Sequence, residues 1–349
     1  MATRERQPEI LGSGAGLATN VALETGSQLG EAVEIRARGH WEQVWIRFRR
    51  DRMAIASVVF IVLLVLASFP GAWLAAKLLG HGPNDLFFDG VDAFGIPKGP
   101  LSTVTHPTTG ETQLFLLGAD GSLGRDLFLR LLYGGRVSLE VAVLSTLGAM
   151  TLGVLLGAVA GYYRGVVDTI VSRVIEVTMA FPALLFIVAL ASTVGDRLDA
   201  ITFGVFAPGV VTLVLVFTLF GWFYPARVVR AQVLSLREKE FVEAARMTGA
   251  SDARIIRSHL LPHLVAPIIV YSTLVVASFV LAEAGLSFLN LGIELPTASW
   301  GNLLAAAPEF YTSQPWLMVW PGLMVLLTTL AFNLLGDGLR DAFDPRSTR

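Results

Sequence analysis

Val137–Gly161, VSLEVAVLSTLGAMTLGVLLGAVAG, decides the class of this chain. It is apolar almost throughout, with one ionisable residue, Glu140, near its start. A helix rises about 1.5 Å per residue, so roughly 20 such residues cross the ~30 Å of hydrocarbon in a bilayer. Within the stretch Ser145, Ala149, Gly153, Gly157 and Gly161 recur at every fourth position. Small residues at that interval let two helix backbones approach closely in lipid, so the stripe reads first as a packing face.

Outward from this run, the same pattern repeats at Met53–Phe69 (extending toward Trp73), Ile170–Val194, Ile201–Tyr224, Leu264–Leu289 and Trp316–Leu335. The expected fold is therefore all-α, a polytopic membrane protein with about six transmembrane helices. Composition agrees: 54% of the 349 residues are hydrophobic and 15% charged, where a soluble domain carries about a quarter charged. A transmembrane barrel would show shorter alternating segments. Helices satisfy their own backbone in lipid, which offers no partners. Pro182, Pro208 and Pro321 are expected to kink the third, fourth and sixth spans.

The chain divides into three parts. Residues 1–52 form a cytoplasmic tail, without periodicity up to about residue 38 and then amphipathic in HWEQVWIRFRRDR (His40–Arg52), which suits equally a helix lying at the inner headgroups and one packed against the protein's own helices. Residues 53–136 hold the first span and an outside loop whose Gly80–Gly110 portion is long enough to suggest a small ordered cap. Residues 137–349 form a five-helix core with a cytoplasmic loop, 225–262, and a C-terminal tail. Outside, Leu286–Pro315 is broken by Pro296, Pro308 and Pro315, and Ala305–Phe310 reads as a short surface or re-entrant turn. Of the 26 lysines and arginines, only Lys77, Lys98, Arg125, Arg130, Arg136 and Arg197 fall outside when both termini are placed in the cytoplasm. No apolar run begins near Met1, so no cleavable signal peptide is expected, and Arg49-Arg50 reads as an inner anchor of the first span. Membrane lipid, and no nucleic acid, is the expected surrounding.

Several chemistries are excluded. Cysteine is absent, so there is no disulfide, Fe–S cluster or thiol nucleophile. Lys77, Lys98 and Lys239 are followed by Leu, Gly and Glu, whereas a P-loop needs Gly-Lys followed by Ser or Thr. His259 and His263 have the spacing of a helical metal pair, but Pro262 interrupts it and no HExxH glutamate is present. No catalytic group, cofactor or metal site is expected on this chain. Ionisable residues inside spans are costly and usually face partners or water. Glu140, Arg173, Glu176 and Glu283 are the set; Arg173 and Glu176 suit an i,i+3 pair. Glu283, with Ser278 and Ser287 nearby, is the candidate for lining a hydrated pathway.

Between the fourth and fifth spans lies Arg237–Pro262, REKEFVEAARMTGASDARIIRSHLLP, too polar to cross a membrane and too patterned for a slack linker. Phe241, Ala245 and Thr248 are read on one helical face, with Glu240, Glu243 and Arg246 toward the others. Gly249 suits a left-handed helix end, and Ser251 and Asp252 the start of a second helix running to Leu261. Two helices about a sharp turn make a rigid projection suited to docking another protein.

Here the chain resembles a known family. Glu243-Ala244-Ala245, then Gly249, then Leu261-Pro262 is similar to the EAA loop of ABC-importer permeases, with His259 where the general pattern has Ile. LGADGSLGRD (117–126), LLYGGRVSL (131–139), AFPALL (180–185), EAGLSFLNLGIELPTASWGN (283–302) and LLGDGLRDAFDPR (334–346) resemble the C-type permease of oligopeptide, dipeptide and nickel importers. Asn290 departs from the Gly common there. The resemblance runs from about His40 to the C-terminus. It implies a type I importer permease fold in a cytoplasmic (inner) membrane and a role as one half of an ATP-driven pathway. It also implies as partners a homologous second permease, two ATPase subunits carrying ATP and Mg²⁺, and an extracytoplasmic binding protein. Glu243, Ala244, Ala245 and Gly249 would form the coupling helix and its turn. Dipeptides, oligopeptides, nickel chelates and sugars all remain as cargo. The alternative is a secondary transporter that couples ions through Glu283 and needs no docking loop, for which inverted repeats would speak.

Overall fold

The amphipathic stretch before the first span folds as helix α1 (His40–Phe48), with Trp41 and Trp45 exposed and the Trp45 and Phe48 rings stacked at 6.2 Å. The computed structural model describes residues 39–182, 185–186, 189–190 and 205–344. A short N-terminal unit ends at Val44; the features below belong to the unit that begins at Trp45.

Asp51 starts α2 (Arg52–Leu79), its carboxylate accepting from the Met53 and Ala54 amides at 2.8 and 3.1 Å. Inside α2 the turn Ala67–Gly71 widens to a π turn around Pro70, which has no N–H for the α ladder, and Gly80 at φ 74° ends the helix. The expected cap follows, and it adds β structure to an otherwise helical fold. Strands β1 (Ser102–Thr105) and β2 (Thr112–Phe115) pair antiparallel, with Ser102 opposite Phe115; β3 (Ala119–Asp120) pairs with β4 (Arg125–Asp126). Phe87, Val104, Phe115 and Ala119 form its small core.

Asp126 caps α3 (Leu127–Tyr163), accepting from Phe128 N at 2.8 Å. α3 thus starts ten residues before the expected boundary, because its first turns pack beneath the cap rather than in lipid. At about 1.5 Å per residue it is roughly 55 Å long and overhangs the bilayer. Arg164 and Gly165, both at positive φ, reverse the chain into α4 (Gly165–Ala180). α4 stops where Phe181 is extended ahead of Pro182, as a residue before proline prefers. The third expected span therefore coincides with α4 only in its first part; its end, 191–194, and the start of the fourth, 201–204, lie outside the described residues.

Helix α5 (Val210–Leu236) begins after Pro208 and Gly209 (φ 86°) and continues past Tyr224. Pro208 thus precedes the helix it was expected to kink, Pro182 follows one, and Pro321 alone of the three lies within a helix. α6 (Glu240–Met247) is short, α7 (Asp252–Phe288) long. Asn290, at φ 59°, adopts the left-handed backbone that Asn tolerates best after Gly. The Ala305–Phe310 tract is the end of a helix, α8 (Trp300–Ala306), and a 3₁₀ turn, and α9 (Trp316–Phe343) closes the fold. Among the described residues five helices, α2, α3, α5, α7 and α9, are long and apolar enough to span a membrane.

The small-residue stripe does what its spacing predicts. A Cβ on Gly153 would meet Pro225 Cβ at 2.6 Å, one on Gly157 the Ala226 carbonyl oxygen at 2.5 Å, and one on Gly161 that of Arg230 at 2.8 Å. α3 and α5 therefore pack backbone to backbone. Leu139, Ala142, Val280, Ala284, Trp300 and Val325 join α3, α7, α8 and α9 in a second core.

Candidate functional site

The loop between α5 and α7, expected on the cytoplasmic side, is a helical hairpin fastened to the ends of α3 and α5 nearest to it. Val242 and Ala245, three apart on α6, are buried with Tyr162, Val229, Val233, Ile255 and Leu264. This corrects the sequence reading: Ala245 faces the protein's own core, not a partner, and Thr248 is exposed rather than on the buried face. α6 rests on the inner ends of two long helices, and its i,i+3 pair of apolar positions fills that seam. Glu243, Ala244, Met247 and Gly249 are left on the outside. Gly249 stands at φ 80° as expected. Its N–H donates to Arg246 O at 2.9 Å and that of Ala250 to Ala245 O at 3.0 Å, the paired bonds of a left-handed helix end. A Cβ here would meet nothing within 4 Å, so backbone conformation and not space requires glycine.

The second helix does not end at Leu261. It runs through Pro262 into α7, because the π turn Ile255–Leu260 just upstream re-phases the ladder around the missing N–H. Ser251 occupies the N-cap position without a side-chain cap bond. Asp252 instead accepts from the Tyr162 hydroxyl at 2.7 Å, while Arg237 and Arg246 lie 5.7 and 5.4 Å from the Tyr162 ring centre. Arg164 pairs with Glu238 and holds that carboxyl below its usual range; Arg230 Nη2 donates to Asp168 at 2.6 Å, joining α5 to α4. None of these ties was legible beforehand, since the partners lie 62 to 90 residues apart. The His263 ring lies tilted against Phe241, their centres 5.0 Å apart.

Glu283 and Ser287 are both fully buried. Ser287 donates to Glu283 Oε1 at 2.7 Å and accepts from Ile293 N at 3.1 Å. In this conformation neither residue lines a hydrated path, contrary to expectation. They hold the start of the outer 286–315 segment against α3, where Ser138 Oγ also accepts from Trp300 N at 3.3 Å. Arg173 and Glu176 form the expected exposed pair at 2.6 Å.

At the outer end, Arg130 is fully buried and paired with Asp120 at 2.5 Å. It donates to Asn84 Oδ1 at 2.8 Å, Pro296 O at 3.0 Å and Pro83 O at 3.5 Å, tying the cap to the outer segment. Beside it opens a cleft of about 190 Å³ whose lining includes Asn84, Tyr133, Arg136, Glu140 and Thr297. Arg136 Nε donates to Glu140 Oε1 at 2.8 Å.

Residues 153–349 match the family described as binding-protein-dependent transport system inner membrane component, and residues 39–89 the N-terminal TM domain of oligopeptide transport permease C. A dipeptide transport system permease protein of Alkalihalophilus pseudofirmus is 33% identical over 88% of this chain and 90% of its own length. A glutathione transport system permease protein of Pectobacterium atrosepticum is 36% identical over 88% and 92%. Among solved structures, an inward-facing form of the MetNI methionine ABC transporter aligns with 62% of this chain and 96% of its own at a TM-score of 0.50 and 16% identity, a likeness of fold.

Proposed function

This chain belongs to the family of binding-protein-dependent transport system inner membrane components, and from that membership we propose how it couples and what it carries. It is a permease subunit of an ABC importer and a multi-pass component of the inner membrane. We read its cargo as peptides or related small solutes, the class named for its relatives. A homologous second permease completes the pathway, two cytoplasmic ATPase subunits supply ATP and Mg²⁺, and an extracytoplasmic binding protein delivers the solute. Both termini lie in the cytoplasm. ATP hydrolysis belongs to the partners, since no lysine of this chain has a P-loop context.

One observation carries the coupling reading: the Glu243–Gly249 turn is exposed on a hairpin whose other face is bound to α3 and α5. A surface anchored in this way passes a push on the turn to the two long helices instead of absorbing it. ATP favours the closed ATPase pair, and the docked turns carry that preference to the pathway. Glu243, Ala244 and Gly249 form the contact, with Ala245 the side chain that seats the helix behind it.

The test compares uptake with recovery of the ATPase subunits on the purified permease, at matched membrane levels. Ala244→Arg puts a long charge on the docking face, and Gly249→Val disfavours the positive-φ turn. Each should lower ATPase association about tenfold or more, equivalent to about 1.4 kcal/mol, and uptake with it. Ala245→Arg should instead reduce the amount of folded permease, because its charge enters the core. Normal association in both Ala244→Arg and Gly249→Val would refute the assignment.

A further inference from the structure

We propose that the cleft at the outer end of α3 is a subsite for a zwitterionic peptide, with Glu140 taking its ammonium group and Arg136 its carboxylate. The proposal rests on the peptide-class cargo read above and gives it a place on this chain.

The cleft is built rather than incidental. Its volume, about 190 Å³, is below that of drug-sized ligand pockets and suits a small ligand. One wall comes from Pro83 and Asn84 of the cap, another from Thr297 and Ala298 of the outer segment. The buried Arg130 guanidinium grips both, through Asn84 Oδ1 and Pro296 O, and is itself held by Asp120. Such walls need no ligand to order them, which lowers the entropic cost of binding.

The charge pair on the third wall is a poor stabiliser. Arg136 precedes Glu140, the less favourable order for an i,i+4 helix pair, and a partly exposed pair contributes only about 0–1 kcal/mol. Its side chains are 47% and 18% exposed, so both heads are reachable from the cleft. A zwitterion offers the same two charges in return. If the pair opens, the ammonium meets Glu140 and the carboxylate Arg136, and no charge is left without a partner. An extended dipeptide spans at most about 7 Å, short enough to engage both residues of one helix face. Phe69, 5.7 Å from the Arg136 guanidinium carbon, holds that side chain when Glu140 leaves it. Tyr133, one turn toward the outer end, adds an apolar wall.

Because the chain has no cysteine, a single Thr297→Cys substitution reports occupancy of the cleft. The complete importer, reconstituted in liposomes with the binding protein omitted, is treated with an impermeant maleimide in the presence of alanyl-alanine or of N-acetyl-alanyl-alanine amide. Alanyl-alanine should slow labelling about threefold at twice its Kd, and the blocked dipeptide should not. Adding Glu140→Gln should abolish the protection, measured against that variant's own unprotected rate. Equal protection by both dipeptides, protection that survives Glu140→Gln, or none from alanyl-alanine overturns the subsite. Should Glu140→Gln reduce folded importer, the comparison of the two dipeptides on the native pair still decides. Uptake of alanyl-alanine with the binding protein restored separates the readings. Import without protection removes the subsite and leaves the peptide cargo standing; absence of both import and protection removes the two together.

Discussion

His81, buried in the cap, loses the hydration that favours its cation, yet the hydrogen bond and charge of Asp126, 3.0 Å from Nε2, outweigh that loss and raise its pKa. The fold therefore favours protonated His81. Its contribution to stability is complete below the unfolded value of about 6.5 and is lost as pH rises through the raised folded value. Exchange of the β1–β2 amides, corrected for intrinsic rate, should show more protection at about pH 5.5 than at about pH 8.5, and His81→Gln should remove most of that difference. Arg130 poses the opposite problem. Arg130→Ala would leave Asp120 buried without its closest cation and should cost about 3–5 kcal/mol, read as loss of the cap's thermal transition and as cleavage between residues 83 and 126 by added protease. A transition unchanged in Arg130→Ala would show that the cap is held elsewhere.

Between α3 and α5 the contact is backbone on backbone. A leucine at Gly157 has no space, with the Ala226 carbonyl oxygen 2.5 Å from where its Cβ would sit, so the helices must part or shift. Gly157→Leu should cost at least the 1–3 kcal/mol typical of overpacking, about the upper end here because the obstacle is backbone, and lower the yield of monodisperse permease. Gly285, in α7, is the contrast. A Cβ there meets nothing within 4 Å, so Gly285→Ala should be neutral or raise the melting temperature slightly, by up to about 1 kcal/mol of stability. Equal losses from both changes would contradict the packing described.

The arginine distribution predicts the orientation of the molecule as a whole. Thr108 in the cap should be outside and Ser251 beside the coupling turn inside. In intact cells an impermeant thiol reagent should label Thr108→Cys and spare Ser251→Cys, and the reverse pattern would invert the topology. The long helices were legible in the sequence. The π turn at Pro70 and the early start of α3 were not, since each depends on what the helix packs against.

Membrane class, helical architecture and the Gly249 turn belong to local physics. Transfer free energy adds residue by residue along an apolar run, and a positive φ is decided by one residue's own sterics. The glycine stripe is nearly local too, because a period of four names a face before its partner is known. Partners belong to tertiary structure. Ala245 points inward because α6 lies on the ends of α3 and α5. Ser138 of α3 meets the Trp300 amide of α8, and Arg130 joins residues 83, 84, 120 and 296. Hydrogen bonds and ion pairs act over about 3 Å in space. A sequence records which groups must be satisfied, and only the folded chain brings their partners within that distance.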